Sequence, residues 1–150
     1  ARMQDTAPLV ESADTRYYDF WVGTWKTIKD GAIDPAGTTF TVTRGIHPGA
    51  LEETWSGAMR ARAFRAWDKT RGRWMHVWIS ANGLFQAWEG RRVGDDWYMF
   101  HEFDINGDRY LSRQAVLRTG PRDAVRVSER SSDGGRTWQL RFREFLRRVD

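Results

Sequence analysis

Cysteine is absent from the 150 residues, which removes disulfides, thiolate metal ligands and a Cys nucleophile together. No apolar run of about 18 residues occurs, so no segment reads as a membrane-spanning helix or an intact signal peptide. There is no G-x-S-x-G elbow and no glycine-rich phosphate loop ahead of a helix, which leaves a Ser nucleophile and a nucleotide cradle without support. The three His, His47, His76 and His101, have no close spacing, and no metal is expected on them. A dense Lys/Arg block is missing as well. The net charge of +4 comes mainly from Arg spread along both halves, which reads as a solvated basic surface and not as a nucleic-acid interface, while leaving an anionic ligand compatible.

What the chain has in excess is tryptophan, nine residues, in a composition that is 40% hydrophobic and 29% charged. Trp is large and carries a single N–H donor, so a Trp-rich small domain lines pockets with rings as well as packing a core. The densest aromatic stretch is Tyr17-Tyr18-Asp19-Phe20-Trp21-Val22-Gly23-Thr24-Trp25. It reads as a plug leading into a first strand, and it needs something concave to cover its rings. Before it, residues 1–16 are polar and aperiodic, a flexible arm with a turn of helix near 13–18. Residues 17–150 form one domain. A start at Ala1 suits either a cytoplasmic chain trimmed at its end or a mature terminus exported to the periplasm.

After Trp25 the pattern is extended throughout. Residues 38–47, 51–56, 60–67, 74–80, 84–89, 97–103, 109–118, 124–131 and 137–147 are rich in β-branched and aromatic residues at period two. Turn chemistry separates them, with Asp30-Gly31, Asp34-Pro35-Ala36-Gly37, Asn82-Gly83 and Asn106-Gly107 the clearest cases. The fold expected is all-β: an antiparallel up-and-down β-barrel of about ten strands, closed to remove its edges and wide enough for a small ligand.

Three stretches carry a family resemblance. Asp19 to Trp25 at the start, Asp68 to Trp74 with Trp78 in the middle, and Ser131-Ser132-Asp133-Gly134-Gly135-Arg136-Thr137-Trp138 near the end resemble a bacterial lipocalin-like (calycin-type) family of largely unknown function. Gly23-Thr24-Trp25 is similar to the G-x-W of lipocalins, whose Trp closes the barrel floor and stacks on a late Arg; here Arg147 or Arg148 would be that partner. The resemblance implies a barrel with a central cavity and no set of catalytic residues. Ser131 to Trp138 also resembles the Asp-box of sialidase-type propellers, which is structural there, and a single copy does not make a propeller. Haem barrels with a similar start depend on a late-strand His, and none follows His101, so no cofactor is expected.

Alternation assigns faces. Trp74, His76, Trp78 and Ser80 share one face and Met75, Val77 and Ile79 the other. The mixed polar and aromatic face is aimed inward; the inverted register would put Met75, Val77 and Ile79 in the core. Trp97, Met99, His101 and Phe103 share a face, so two strands each offer a His flanked by rings. Leu51, Glu53 and Trp55 do likewise, which makes Glu53 an inward carboxylate, oriented on His76 or ion-paired with Arg113 or Arg126. Gln86 with Trp88, and Glu144, are further lining candidates. Arg113 and Arg126, if inward, give a positive floor suited to a carboxylate or phenolate.

Two functions follow as expectations. One is binding of a small apolar or aromatic molecule, an anionic one included, by Trp55, Trp78, Gln86, Trp88, Trp97, Met99, Arg113 and Arg126. The other is a cofactor-independent lyase, isomerase or cyclase in the same barrel, with His76 or His101 as acid/base and Glu53 orienting. The partner expected is a small molecule, with the chain a monomer or a homodimer through its Met75-Val77-Ile79 face.

Overall fold

The computed structural model describes residues 6–150. A 3-10 turn, Tyr17–Trp21, leads into β1 (Gly23–Lys29), and a two-residue ribbon, β2 (Ala32–Ile33), follows it. Then come β3 (Thr38–Arg44), β4 (Ala50–Gly57), β5 (Ala61–Asp68) and β6 (Arg73–Ser80). The remainder are β7 (Phe85–Val93), β8 (Asp96–Ile105), β9 (Asp108–Arg118), β10 (Asp123–Ser131) and β11 (Gln139–Arg148). Each strand pairs antiparallel with its sequence neighbour, β2 branching off β1, and β11 returns to pair with β1. The result is a closed ten-stranded up-and-down barrel, as the strand pattern and turn spacing lead one to expect.

The differences lie at strand ends and have local causes. The strand expected over 38–47 stops at Arg44, because Gly45 donates to the Ala50 carbonyl and Ala50 to that of His47, closing a turn. The last strand starts at Gln139 and not at residue 137, because the amides of Arg136 and Thr137 are taken by the Asp133 carboxylate at 3.0 and 2.9 Å. The helical turn expected near 13–18 sits slightly later, as a turn over 13–16 that runs into Tyr17–Trp21.

The plug closes one end. Trp21 and Tyr18 are fully buried beneath the barrel, Trp21 against Trp25 and Phe40, Tyr18 edge-on to Trp74. Each such ring contributes on the order of 2 kcal/mol or more by leaving water. Trp25 donates its indole N–H to the Trp21 carbonyl at 2.9 Å, which ties plug to strand. Arg148 faces Trp25 across the β1–β11 seam and crosses Gly23, while Arg147 pairs with Asp123 at 3.0 Å. Gly23 has φ +141, a conformation that favours glycine, at the point where the chain leaves the plug for the wall.

Of the arm expected over 1–16, residues 1–5 lie outside the described residues. Its later part is held in place. Ser12 and Thr15 exchange hydrogen bonds, Thr15 is buried, and the Asp14 carbonyl and carboxylate accept from the indoles of Trp74 and Trp97 at 2.8 and 3.3 Å. The turns on the plug side are β3–β4, β5–β6, β7–β8 and β9–β10; the hairpins β1–β3, β4–β5, β6–β7, β8–β9 and β10–β11 surround the opposite, open end.

Candidate ligand cavity

The open end leads into a cavity of about 660 Å³. Its walls carry the rings of Trp78, Trp88, Phe103, Tyr110 and Phe142 and the polar groups of His76, Gln86, His101, Gln114 and Arg126, and the charged residues Glu102, Asp104 and Arg141 also border it. Strand register accounts for this. His76 pairs with Trp88 across β6–β7, and Trp78 with Gln86, which sends all four inward. Met75, Val77 and Ile79 therefore take the outer face, with Ile79 exposed. Phe103 opposes Tyr110 and stacks on it at 5.2 Å, and Ser128 opposes both Gln114 and Phe142.

The two imidazoles differ. His101 packs on Trp88 and Phe103, and its Nδ1 lies 2.8 Å from the Ala87 carbonyl. A carbonyl only accepts, so Nδ1 carries the proton and Nε2 of the neutral ring is left as an acceptor. His76 is set deeper, and its Nδ1 is buried with no partner. The ring area it still exposes opens onto the cavity and not onto bulk solvent. Burial, then the nearby Arg65 guanidinium, push this imidazole down to about 3; Glu53 and a backbone interaction with Phe64 pull the other way and Arg126 adds to the depression. His76 is thus neutral at ordinary pH and is a hydrogen-bonding group, with a pKa far from that of an efficient proton shuttle.

Two inward cations, Arg126 and Arg65, are compensated. Arg126 donates to Glu144 at 3.1 Å and lies over the rings of Trp55 and Phe142 at 5.2 and 5.0 Å. Glu144 also accepts from the hydroxyls of Thr27 and Thr38. Lower down, the Glu53 carboxylate accepts from Arg65 Nε at 3.3 Å, Trp55 Nε1 at 3.1 Å and Trp21 Nε1 at 3.4 Å. Burial works against its charge, but Arg65 and these donors outweigh it and hold the carboxyl below its ordinary range.

The anticipated residues therefore divide by height and by face. His76, Trp78, Gln86, Trp88, His101 and Arg126 meet around the cavity, and Met99 borders a small void beneath it. Glu53, Trp55 and Trp97 also point inward but belong to the packed core, Trp55 stacked on Phe40 at 3.9 Å and edge-on to the cavity residue Trp78 at 5.3 Å, Trp97 edge-on to Trp67. Arg113 is on the outer wall: its guanidinium covers Trp138 at 4.0 Å and Tyr98 at 5.1 Å and pairs with Glu129 at 2.9 Å. Adjacent strand residues face opposite ways, so aiming Arg113 inward hid Gln114, which lines the cavity. Tyr110, on the Gln114 face, was the signal for the correct register.

Every hairpin at the open end carries an exposed large apolar side chain: Ile33, Met59, Leu84 with Phe85, Ile105 and Leu140. At the closed end, a depression of about 490 Å³ beside the turn at His47 is spanned by the ion pairs Arg16–Glu11 and Arg44–Asp19, and its charges are already matched. Among the described residues no three His, Asp or Glu side chains gather as metal ligands, and no helix is long and apolar enough to cross a membrane. No family model matches the chain, and no curated protein is significantly similar to it.

Proposed function

We propose that this chain is a lipocalin-like binding protein that holds a small, largely apolar, aromatic molecule in the open-end cavity. The observation that carries the reading is the cavity itself: about 660 Å³, ring-walled, entered past an apolar rim and closed below by a packed plug. The Gly23-x-Trp25 start and the Asp133-centred closing loop support a place among lipocalin-like barrels. Binding is favoured over catalysis because Glu53, the group expected to orient an imidazole in the acid/base alternative, is committed to Arg65 and two indoles. His76 is likewise held neutral.

The test is a panel of apolar and aromatic molecules titrated against intrinsic Trp fluorescence, in the native chain and in Trp88→Phe. Ligands should quench the native signal saturably, and the substitution should remove much of that response. A panel that leaves the emission unchanged, together with xenon or an apolar probe failing to enter crystals, would end the binding reading. Turnover of a substrate that survives His76→Gln and His101→Gln would likewise end the acid/base alternative.

A further inference from the structure

The barrel wall is not seamed to the same height all round. Toward the open end, the β3–β4, β5–β6 and β9–β10 ladders run until one strand or both end, at Thr38 with Gly57, Ala61 with Ser80 and Leu111 with Ser131. The β11–β1 ladder stops at Ile28 with Phe145 because β1 itself ends at Lys29. The β7–β8 ladder differs: both strands continue, yet their pairing reaches only from Val93 with Asp96 to Glu89 with Phe100. Residues 85–88 stay paired to β6 and residues 101–105 to β9, so the two strands part into a slit about 13 Å long below the rim. The cavity reaches it. Alternation turns Phe85, Glu102 and Asp104 outward, and these flanking residues still border the cavity. Arg141, beside the irregularity in the β10–β11 ladder, is the one outer residue of another wall that does so among the described residues. Across the slit, His101 Nδ1 donates to the Ala87 carbonyl at 2.8 Å, and that bond is exposed although the ring packs inside on Trp88 and Phe103.

We propose that this slit is the route by which the ligand enters and leaves, and that His101 is the latch across it. The inference rests on the binding function proposed above and adds the way in. A ladder hydrogen bond belongs to the backbone, and breaking it requires the strands themselves to part. A side-chain bond is released by rotation of one ring, after which the Ala87 carbonyl is left to water and the two strand ends are each tied on one side only. Segments held by few backbone bonds are the ones that open most readily. The slit is also flanked by apolar side chains, Phe85 on β7 and Ile105 on β8, both exposed, so an aromatic molecule meets apolar edges before it meets the rings inside. The opposite end offers no comparable route, because Trp21 and Tyr18 fill it.

Stopped-flow fluorescence with N-phenyl-1-naphthylamine, an uncharged aromatic probe, tests this on the intact chain. In His101→Leu, association and dissociation should both quicken about three- to tenfold, the scale of one neutral hydrogen bond, with Kd nearly constant; a lost ligand contact would raise dissociation alone. His101→Asn, whose amide reaches the same carbonyl, should give back much of the native rate. The native chain has no cysteine, so Ala87→Cys with Glu102→Cys makes one disulfide possible and no other. Extending the Glu89–Phe100 register by two residues sets these positions opposite each other on the outer face, where the bond staples the slit shut from outside. The oxidised pair should take up the probe about tenfold or more slowly than the same pair reduced with dithiothreitol. Equal rates in the two forms, a pair that fails to oxidise, or His101→Leu rates that are unchanged or altered in dissociation alone overturn the latched slit while leaving the cavity as a binding site. Failure of the probe to bind any form removes the binding function and the route with it.

Discussion

Arg65 Nε lies 3.3 Å from the Glu53 carboxylate, with both side chains almost entirely withdrawn from solvent under the Tyr18 ring. Two opposite charges at that depth are tolerable only together, because either alone would face the desolvation cost uncompensated. Glu53→Gln should therefore cost about 3–5 kcal/mol, since it leaves Arg65 buried without a counter-charge. The double variant Glu53→Leu with Arg65→Met should recover much of that loss. Urea denaturation followed by circular dichroism measures both. A Glu53→Gln chain as stable as the native one would mean that the pair does not hold the plug.

Gly23 links plug to barrel in a conformation, φ +141, that a side chain rarely adopts, and a Cβ placed there would lie 2.4 Å from Arg148 Cδ. Gly23→Ala should destabilise by about 1–3 kcal/mol through the backbone alone. Because the Arg148 stem is flexible and the dihedral is not, adding Arg148→Ala should restore little. Full rescue by the second substitution would place the cost in the steric contact instead.

The sequence pattern exposes faces far better than heights. Period-two alternation correctly put Glu53, Trp55, His76, Trp78, Trp97, Met99 and His101 inside, since a half-polar face with His and Trp fits a cavity and the opposite face is plain aliphatic. It says nothing of how far along a tilted strand each residue lies. Trp97 and His101 share a face of β8, yet Trp97 sits in the plug core and His101 beside the cavity, because four residues of rise set them about 13 Å apart along the strand. The misplacement of Arg113 has a different origin. Its environment is made by Trp138, which the Asp133-capped loop folds back over the outer wall from a distant part of the chain.

That outer assembly gives a prediction separating wall from cavity. Arg113→Met removes the Glu129 ion pair and the cation–ring contacts with Trp138 and Tyr98. Partly exposed contacts of this kind are worth about 1 kcal/mol or somewhat more in sum. Thermal melts should show that modest loss, while the affinity for any cavity ligand stays at the native value. A ligand affinity that falls with Arg113→Met would return this residue to the site.

His76 gives the chain an acid sensitivity of definite sign. Its folded value of about 3 lies below the ordinary 6.5, chiefly because burial disfavours the charged ring. The unfolded chain therefore binds the extra proton first, and stability that is whole above about pH 6.5 drains away as pH falls toward 3. One such group contributes a slope of up to about 1.4 kcal/mol per pH unit in that window. The carboxyl of Glu53, held low by Arg65, adds to the loss only below its own unfolded range, near 4.5. Between pH 6.5 and 5 the slope is thus mainly that of the imidazole. Denaturation curves across this interval should be visibly flatter for His76→Leu than for the native chain, and at pH 7 the variant should be at least as stable, having lost an unpaired buried nitrogen. Superimposable pH profiles would show that water in the cavity already solvates the ring, and with it the acid sensitivity assigned to His76 would go.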